Sequence, residues 1–238
     1  MVGKDQASPP PWQTLSSPQR YFFLLMSLEH PILLQSFDHI DGIVGHPPLT
    51  PQAYVIARRV IHSTADFEFL DLLRFQPDPS SSNLSSSVID LAINALRQAT
   101  PIVVDVTMVR QGIQTLVHKT FQNPLYAAID YAEPTQEGKT RTESGIIRCI
   151  EQFPQAVYII GNAPTALLAL CQAIAAGRAD PPFVIGVPVG FIGVLEAKQA
   201  LSSLSCPHIR VEGNKGGSPV AAAILNALLM LAYRVESS

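Results

Sequence analysis

The chain has 238 residues, 47% of them apolar and 15% charged, with a net charge of −3. That length and apolar content suit one domain with a sizeable core, and the charge balance excludes a general attraction to nucleic acid or to an anionic membrane. The cysteines, Cys149, Cys171 and Cys206, are too widely spaced for a zinc pattern or a disulfide framework, which points to buried thiols in the reducing cytoplasm.

Residues 1–17 are polar and carry Pro9-Pro10-Pro11. They read as a mobile leader ahead of a single domain over 18–238, with no signal-peptide pattern. Residues 20–29 read as a short helix, and the apolar run at 21–26 falls far below the ~20 residues that cross a bilayer. Ile32, Ser36, Phe37 and Ile40 have helical spacing, which Gly42, Gly45, Pro47 and Pro48 interrupt. Thr50-Pro51 has the form of an N-cap followed by proline at the first helical position. The helix it opens carries Arg58, His62 and Asp66 at four-residue spacing. Side chains so spaced share a face, so the imidazole would lie between a cation and a carboxylate. That makes His62 the candidate chemical centre. Residues 76–87 are rich in Pro, Ser and Asn and read as a loop, after which Ser87 caps a helix with the apolar stripe Val88, Leu91, Ala92, Ala95 and Leu96.

Past Thr100 the pattern changes to short β-branched runs alternating with helical segments. Strands are predicted at 101–105, 116–121, 156–161, 183–186 and 208–213. Helices are predicted at 141–153, 165–177, 192–204 and 219–234. Continuous apolar strands joined by helices argue for an α/β three-layer sandwich, with a mostly parallel, Rossmann-like sheet covered by helices on both faces. Right-handed crossovers place the strand C-termini on one edge, where ligands of such sheets bind. Three turns on that edge stand out: Gly161-Asn162-Ala163-Pro164-Thr165, Gly186-Val187-Pro188-Val189-Gly190-Phe191 and Gly213-Asn214-Lys215-Gly216-Gly217-Ser218. Glycines there permit close backbone approach, and helix N-termini favour carboxylates or phosphates. None of the turns matches a dinucleotide or P-loop spacing. Asp105, at a strand end, reads as the cap of the next helix. Glu196 and Lys198, two apart on a helix, do not face each other. His30, His39, His46, His118 and His208 are dispersed, so no metal site is expected.

Several of these segments together resemble one family, the precorrin-8X or cobalt-precorrin-8 methylmutases of cobalamin biosynthesis. The resemblance is carried by Pro31-Ile32 with Gln35-Ser36-Phe37, Arg59-Val60-Ile61-His62 with Asp66-Phe67, Pro101-Ile102-Val103-Val104-Asp105, Met108-Val109 with Gly112, and Thr140-Arg141. It continues through Gly161-Asn162-Ala163-Pro164-Thr165, Gly186-Val187-Pro188-Val189-Gly190-Phe191, Glu196 with Lys198, and Gly216-Gly217-Ser218 with Ala221-Ala222. It runs from about Pro31 to the C-terminus. It implies migration of a methyl group between adjacent carbons of a corrin precursor, giving hydrogenobyrinic acid or, with cobalt, cobyrinic acid. It also implies a homodimer with clefts near the subunit interface, hand-over of product to the next pathway enzyme, and no cofactor, since the methyl is already on the substrate.

The resemblance makes His62 the catalytic residue, with Ser36 and Arg141 at the tetrapyrrole. Asn162, Ala163, Pro164, Thr165, Pro188, Val189, Gly190, Phe191, Gly216, Gly217 and Ser218 fall on the cleft edge. Family members often place a glycine before the acidic position, where this chain has Ala65. The chemistry is coherent: a flat polycarboxylate needs an apolar slot with anion-binding groups such as Arg141 and Lys215. A histidine is a suitable acid for activating the conjugated ring near neutral pH. The alternatives are a nucleotide-dependent transferase using the same edge, or a non-catalytic tetrapyrrole carrier.

Overall fold

A computed structural model describes residues 29–77, 87–132 and 138–236. The leader at 1–17, all but the last residue of the helix expected at 20–29, and residues 78–86 of the expected loop lie outside the described residues.

Two helices come first. α1 (Pro31–Val44) starts on His30, whose ring accepts from the Ile32 amide, and ends at Gly45 in a positive-φ turn. Gly42 is taken into the helix, so only Gly45 stops it. α2 (Pro51–Thr64) is capped by the Thr50 hydroxyl on the Ala53 amide, with proline in its first turn as expected. A one-turn helix, α3 (Phe69–Leu72), leads into β1 (Leu73–Gln76). α4 (Val88–Arg97) opens with a reciprocal capping box between Ser87 and Asp90. The alternation then runs β2 (Ile102–Val104), α5 (Thr107–Lys119), β3 (Leu125–Ala127), a 3₁₀ turn (Ala128–Tyr131), α6 (Arg141–Gln152) and β4 (Val157–Ile160). It closes with α7 (Pro164–Ala175), β5 (Val184–Gly186), α8 (Val194–Ser202), β6 (His208–Val211) and α9 (Ser218–Glu236).

The six strands form one sheet in the order β1-β6-β5-β4-β2-β3. All neighbours are parallel except β1, which pairs antiparallel with β6. Alternate residues of β2, β4 and β5 feed two cores. Ile102, Val104, Val157, Ile159, Ile185 and Ile209 face α2, α4, α5 and α9. Val103, Tyr158, Ile160 and Val184 face α6, α7 and α8. Both faces of the central strands are therefore dry, which is why their sequences are continuously apolar.

Three expectations are corrected. Residues 116–121 are not a strand: 116–119 finish α5, whose buried Val109, Ile113 and Val117 repeat every four residues, and 120–121 form the turn after it. β1 and β3 were not foreseen. They are the two edge strands, of four and three residues, and each leaves part of its length half-exposed. Too few residues with too mixed a pattern leave no period to read. Gln76, expected to begin a loop, ends β1.

Candidate active site

Five buried residues of α2, Ala53, Ile56, Ala57, Val60 and Ile61, turn one face inward, leaving His62 exposed near its end. α1 packs against α2 through Phe37 and Ile40 on Ile61. That crossing brings Ser36 Oγ to 2.8 Å from His62 Nδ1, with the Phe37 ring edge-on at 5.7 Å. Nε2 hydrogen-bonds no described residue, so it is the ring atom left for a ligand. Ser36 thus serves the histidine directly, a link invisible to local spacing because the two residues lie 26 positions apart.

The expected Arg58–His62–Asp66 trio does not form. Arg58 lies over the Phe37 ring and donates to Asp41 Oδ2 at 2.6 Å. Tyr54 donates to the other oxygen of Asp41. Burial, helped by that carboxylate, pushes the Tyr54 phenol up to about 12. The helix stops at Thr64, so Asp66 is not one helical turn beyond the histidine. Ala65 takes a left-handed φ of 55°, the conformation that glycine adopts most cheaply at a helix end. Asp66 then turns to Lys215, whose Nζ lies 2.5 Å from Asp66 Oδ2 and 2.8 Å from Glu68 Oε2.

Asp105 is fully buried and is not a cap for the following helix, which has no side-chain cap. Its Oδ1 accepts the amides of Val106 and Gly161, and its Oδ2 those of Asn162 and Ala163, at 2.7–3.1 Å. Burial, the larger effect, pushes the carboxyl above the usual carboxylate range, and the amide donors pull it back. A cluster that only donates requires the ionised acceptor. The residue thus clamps the turn that starts α7. Gly161 is needed there because a Cβ would sit 2.8 Å from the Ala221 Cβ on α9. The hydroxyls of Thr140 and Thr165 meet at 2.7 Å, which sets the α6 N-terminus, with exposed Arg141, beside that of α7.

The turn after β5 and the loop after β6 are stitched together. Gly217 N donates to Val187 O at 2.8 Å and Gly190 N to Asn214 O at 3.2 Å. At Gly216, with φ of 151°, a Cβ would fall 2.2 Å from Val187 O. Underneath, Lys198 is 3% exposed, and its Nζ donates to Gly213 O and Lys215 O, each at 2.7 Å. Burial pulls this lysine down to about 8, against the pull of Glu212. Its role was missed, although a signal existed. Val194, Ala197 and Leu201 are the buried stripe of α8, and Lys198 stands on it four residues after Val194. Glu196, off that stripe, is exposed.

The edge residues therefore divide. Asn162, Val189 and Phe191 are exposed, and Pro164, Thr165, Gly190 and Gly216 are half-buried, so all of these can meet a ligand. Ala163, Pro188, Gly217 and Ser218 are buried and build the walls from behind. Around the β5–α8 turn Phe191 and Ile192 are 88% and 89% exposed, with Leu195 close by in sequence also exposed. Among the described residues, no group of three or more His, Cys, Asp or Glu is placed to hold a metal. A groove of about 700 Å³ opens at the opposite end of the sheet, lined by residues that precede β2, β4 and β5. It contains no histidine and no cationic side chain.

The family model described as Precorrin-8X methylmutase matches residues 31–231. A cobalt-precorrin-8 methylmutase of Synechocystis sp. is 65% identical over 215 residues, 88% of this chain and 99% of that protein. One of Priestia megaterium is 37% identical, covering 83% of this chain and 86% of its own. The crystal structure of a precorrin-8X methyl mutase from Thermus thermophilus superposes with a TM-score of 0.73 at 37% identity, covering 84% of this chain and 96% of that one. With the match spanning every element from α1 to α9, the chain belongs to the precorrin-8X methylmutase family.

Proposed function

We propose that this protein is an isomerase that moves a methyl group within cobalt-precorrin-8 to give cobyrinic acid. The observation that carries the reading is the 65% identity, over nearly the whole of both chains, to a relative named for that substrate. In this reading His62 Nε2 delivers a proton to the conjugated ring and makes the receiving carbon electrophilic. The methyl carbon leaves the bridging carbon with its bonding pair and attaches to the adjacent ring carbon. Loss of a proton gives the product tautomer, so the overall composition is unchanged. Ser36 holds the imidazole through Nδ1, and the edge of Phe37 limits its rotation. The glycine-rich turns offer a flat wall, and exposed Arg141 a bidentate fork for a substrate carboxylate.

The exposed Phe191, Ile192 and Leu195 support a second copy of the chain completing the cleft as a homodimer, since a large apolar patch at a cleft rim marks an interface. The protein then works in the cytoplasm, needs no cofactor, and passes its product to the next enzyme of the pathway. Among the described residues no helix is long and apolar enough to cross a membrane.

The test is incubation with trapped cobalt-precorrin-8 and, separately, with metal-free precorrin-8X, followed by absorbance. The cobalt form should convert faster. His62→Ala should lose about 10²–10⁴-fold in turnover, the usual worth of a general acid, while still binding the corrin product. Near-normal turnover of that variant would sink the role of His62. No change of conjugation with either substrate would sink the isomerase.

A further inference from the structure

Asp66 and Glu68 place two carboxylates four and six residues beyond His62, the residue read above as acting on a polycarboxylate. Chain length keeps Asp66, four residues on, within ~14 Å and Glu68, six residues on, within ~21 Å of His62, so their field acts on whatever approaches the imidazole at low ionic strength. Left uncompensated, they would repel such a substrate. Lys215 is the cation that meets both, at 2.5 and 2.8 Å. It comes from the far side of the edge, on the loop after β6, 149 positions from Asp66. The contact holds Asp66 below the usual carboxylate range and raises the lysine.

This lysine is placed, not merely near. The buried Lys198 ammonium holds the main-chain carbonyl of Lys215 itself and that of Gly213. Asn214 O accepts from Gly190 N, and Gly217 N donates to Val187 O. A loop anchored at successive points carries one flexible side chain to two acids. An exposed ion pair adds little to stability, which leaves an electrostatic purpose as the better account of so much anchoring.

We propose that Lys215 is a specificity residue that masks Asp66 and Glu68, so that a polyanionic substrate can reach His62. The idea rests on the polycarboxylate reading, and its test is built to be separable from it. Lys215→Met should raise KM for the corrin substrate by roughly three- to tenfold, with kcat changed less than twofold, and added salt should shrink the defect. The triple variant Lys215→Met/Asp66→Asn/Glu68→Gln should restore KM. If the triple variant stays as weak as the single one, Lys215 binds the substrate itself and the mask is refuted. An unchanged KM in Lys215→Met refutes it as well.

A second readout needs no turnover. Alkylation of His62 by anionic iodoacetate, relative to neutral iodoacetamide, measured by peptide mass spectrometry, reads the local field. The ratio should fall in Lys215→Met and recover in the triple variant. If it does not move, the mask fails even for an active enzyme. If it moves as expected in a protein that turns over no corrin, the mask stands and the proposed function is what fails.

Discussion

The turn after β4 and the loop after β6 stand on the same edge of one sheet and are anchored by opposite charges. Asp105 collects four amides in a dry pocket, at 2.7–3.1 Å, and so fixes residues 161–163 and the start of α7. Lys198 collects two carbonyls from beneath the other loop, and that loop's outer end is tied by exposed ion pairs through Lys215. The first anchor is wholly inside protein, so salt does not screen it. The second is half inside and half in water, so its outer half is screened. A ring-shaped ligand would therefore meet one stiff wall and one wall whose charge is tunable.

The largest effect should come from breaking the stiff wall. Asp105→Ala would leave four amide donors without their acceptor, those of Gly161 and Ala163 in buried bonds, and each unpaired buried amide costs about 1–3 kcal/mol. A loss of about 4 kcal/mol in urea unfolding is expected, together with loss of activity. A loss under about 1 kcal/mol would mean that the turn stands without the clamp.

The tunable wall answers to pH. Lys198 is held at about 8, below its ordinary 10.5, because burial disfavours its charge. Between those values the unfolded chain binds more protons than the folded one, so stability rises with pH across that window. The shift corresponds to about 3 kcal/mol of gain at most. Lys198→Met should abolish this rise, read as the difference between wild-type and variant denaturation midpoints at pH 7 and pH 10. Equal slopes for the two proteins would show that the ammonium is not strained by its burial. The variant's KM should also climb, because the carbonyl that sets Lys215 is released.

The smallest effect sits at the end of α2. Ala65→Gly relieves a left-handed alanine and should stabilise the fold by about 0.5–1 kcal/mol, since the αL cost of a Cβ exceeds the entropy glycine loses. Because Ala65 turns the chain from His62 toward Asp66, kcat should stay within about twofold. A destabilised variant would show that alanine is at ease there.

Much of this was legible before any coordinates. The four central strands announce themselves because both faces are covered, and so do the capped helices at Thr50 and Ser87. β1 and β3 escaped because each is a half-exposed edge strand whose mixed residues lack the continuous apolar run of the central strands. The charge trio failed for one local reason, the helix ending at Thr64. Lys198 could have been found, because its place on the apolar stripe of α8 demanded a buried partner.

By itself the sequence determined the alternation of strands and helices, the edge on which the glycine turns gather, and His62 as the residue to test. Those follow from local periodicity, turn chemistry and the order of the family's motifs. Tertiary structure alone decided who touches whom: Ser36 with His62, Asp105 with the amides of a turn 56 or more positions away, Lys215 with Asp66. A hydrogen bond acts over about 3 Å, and only the packing of α1 on α2 and the closing of loops across the sheet brings such distant residues within that range.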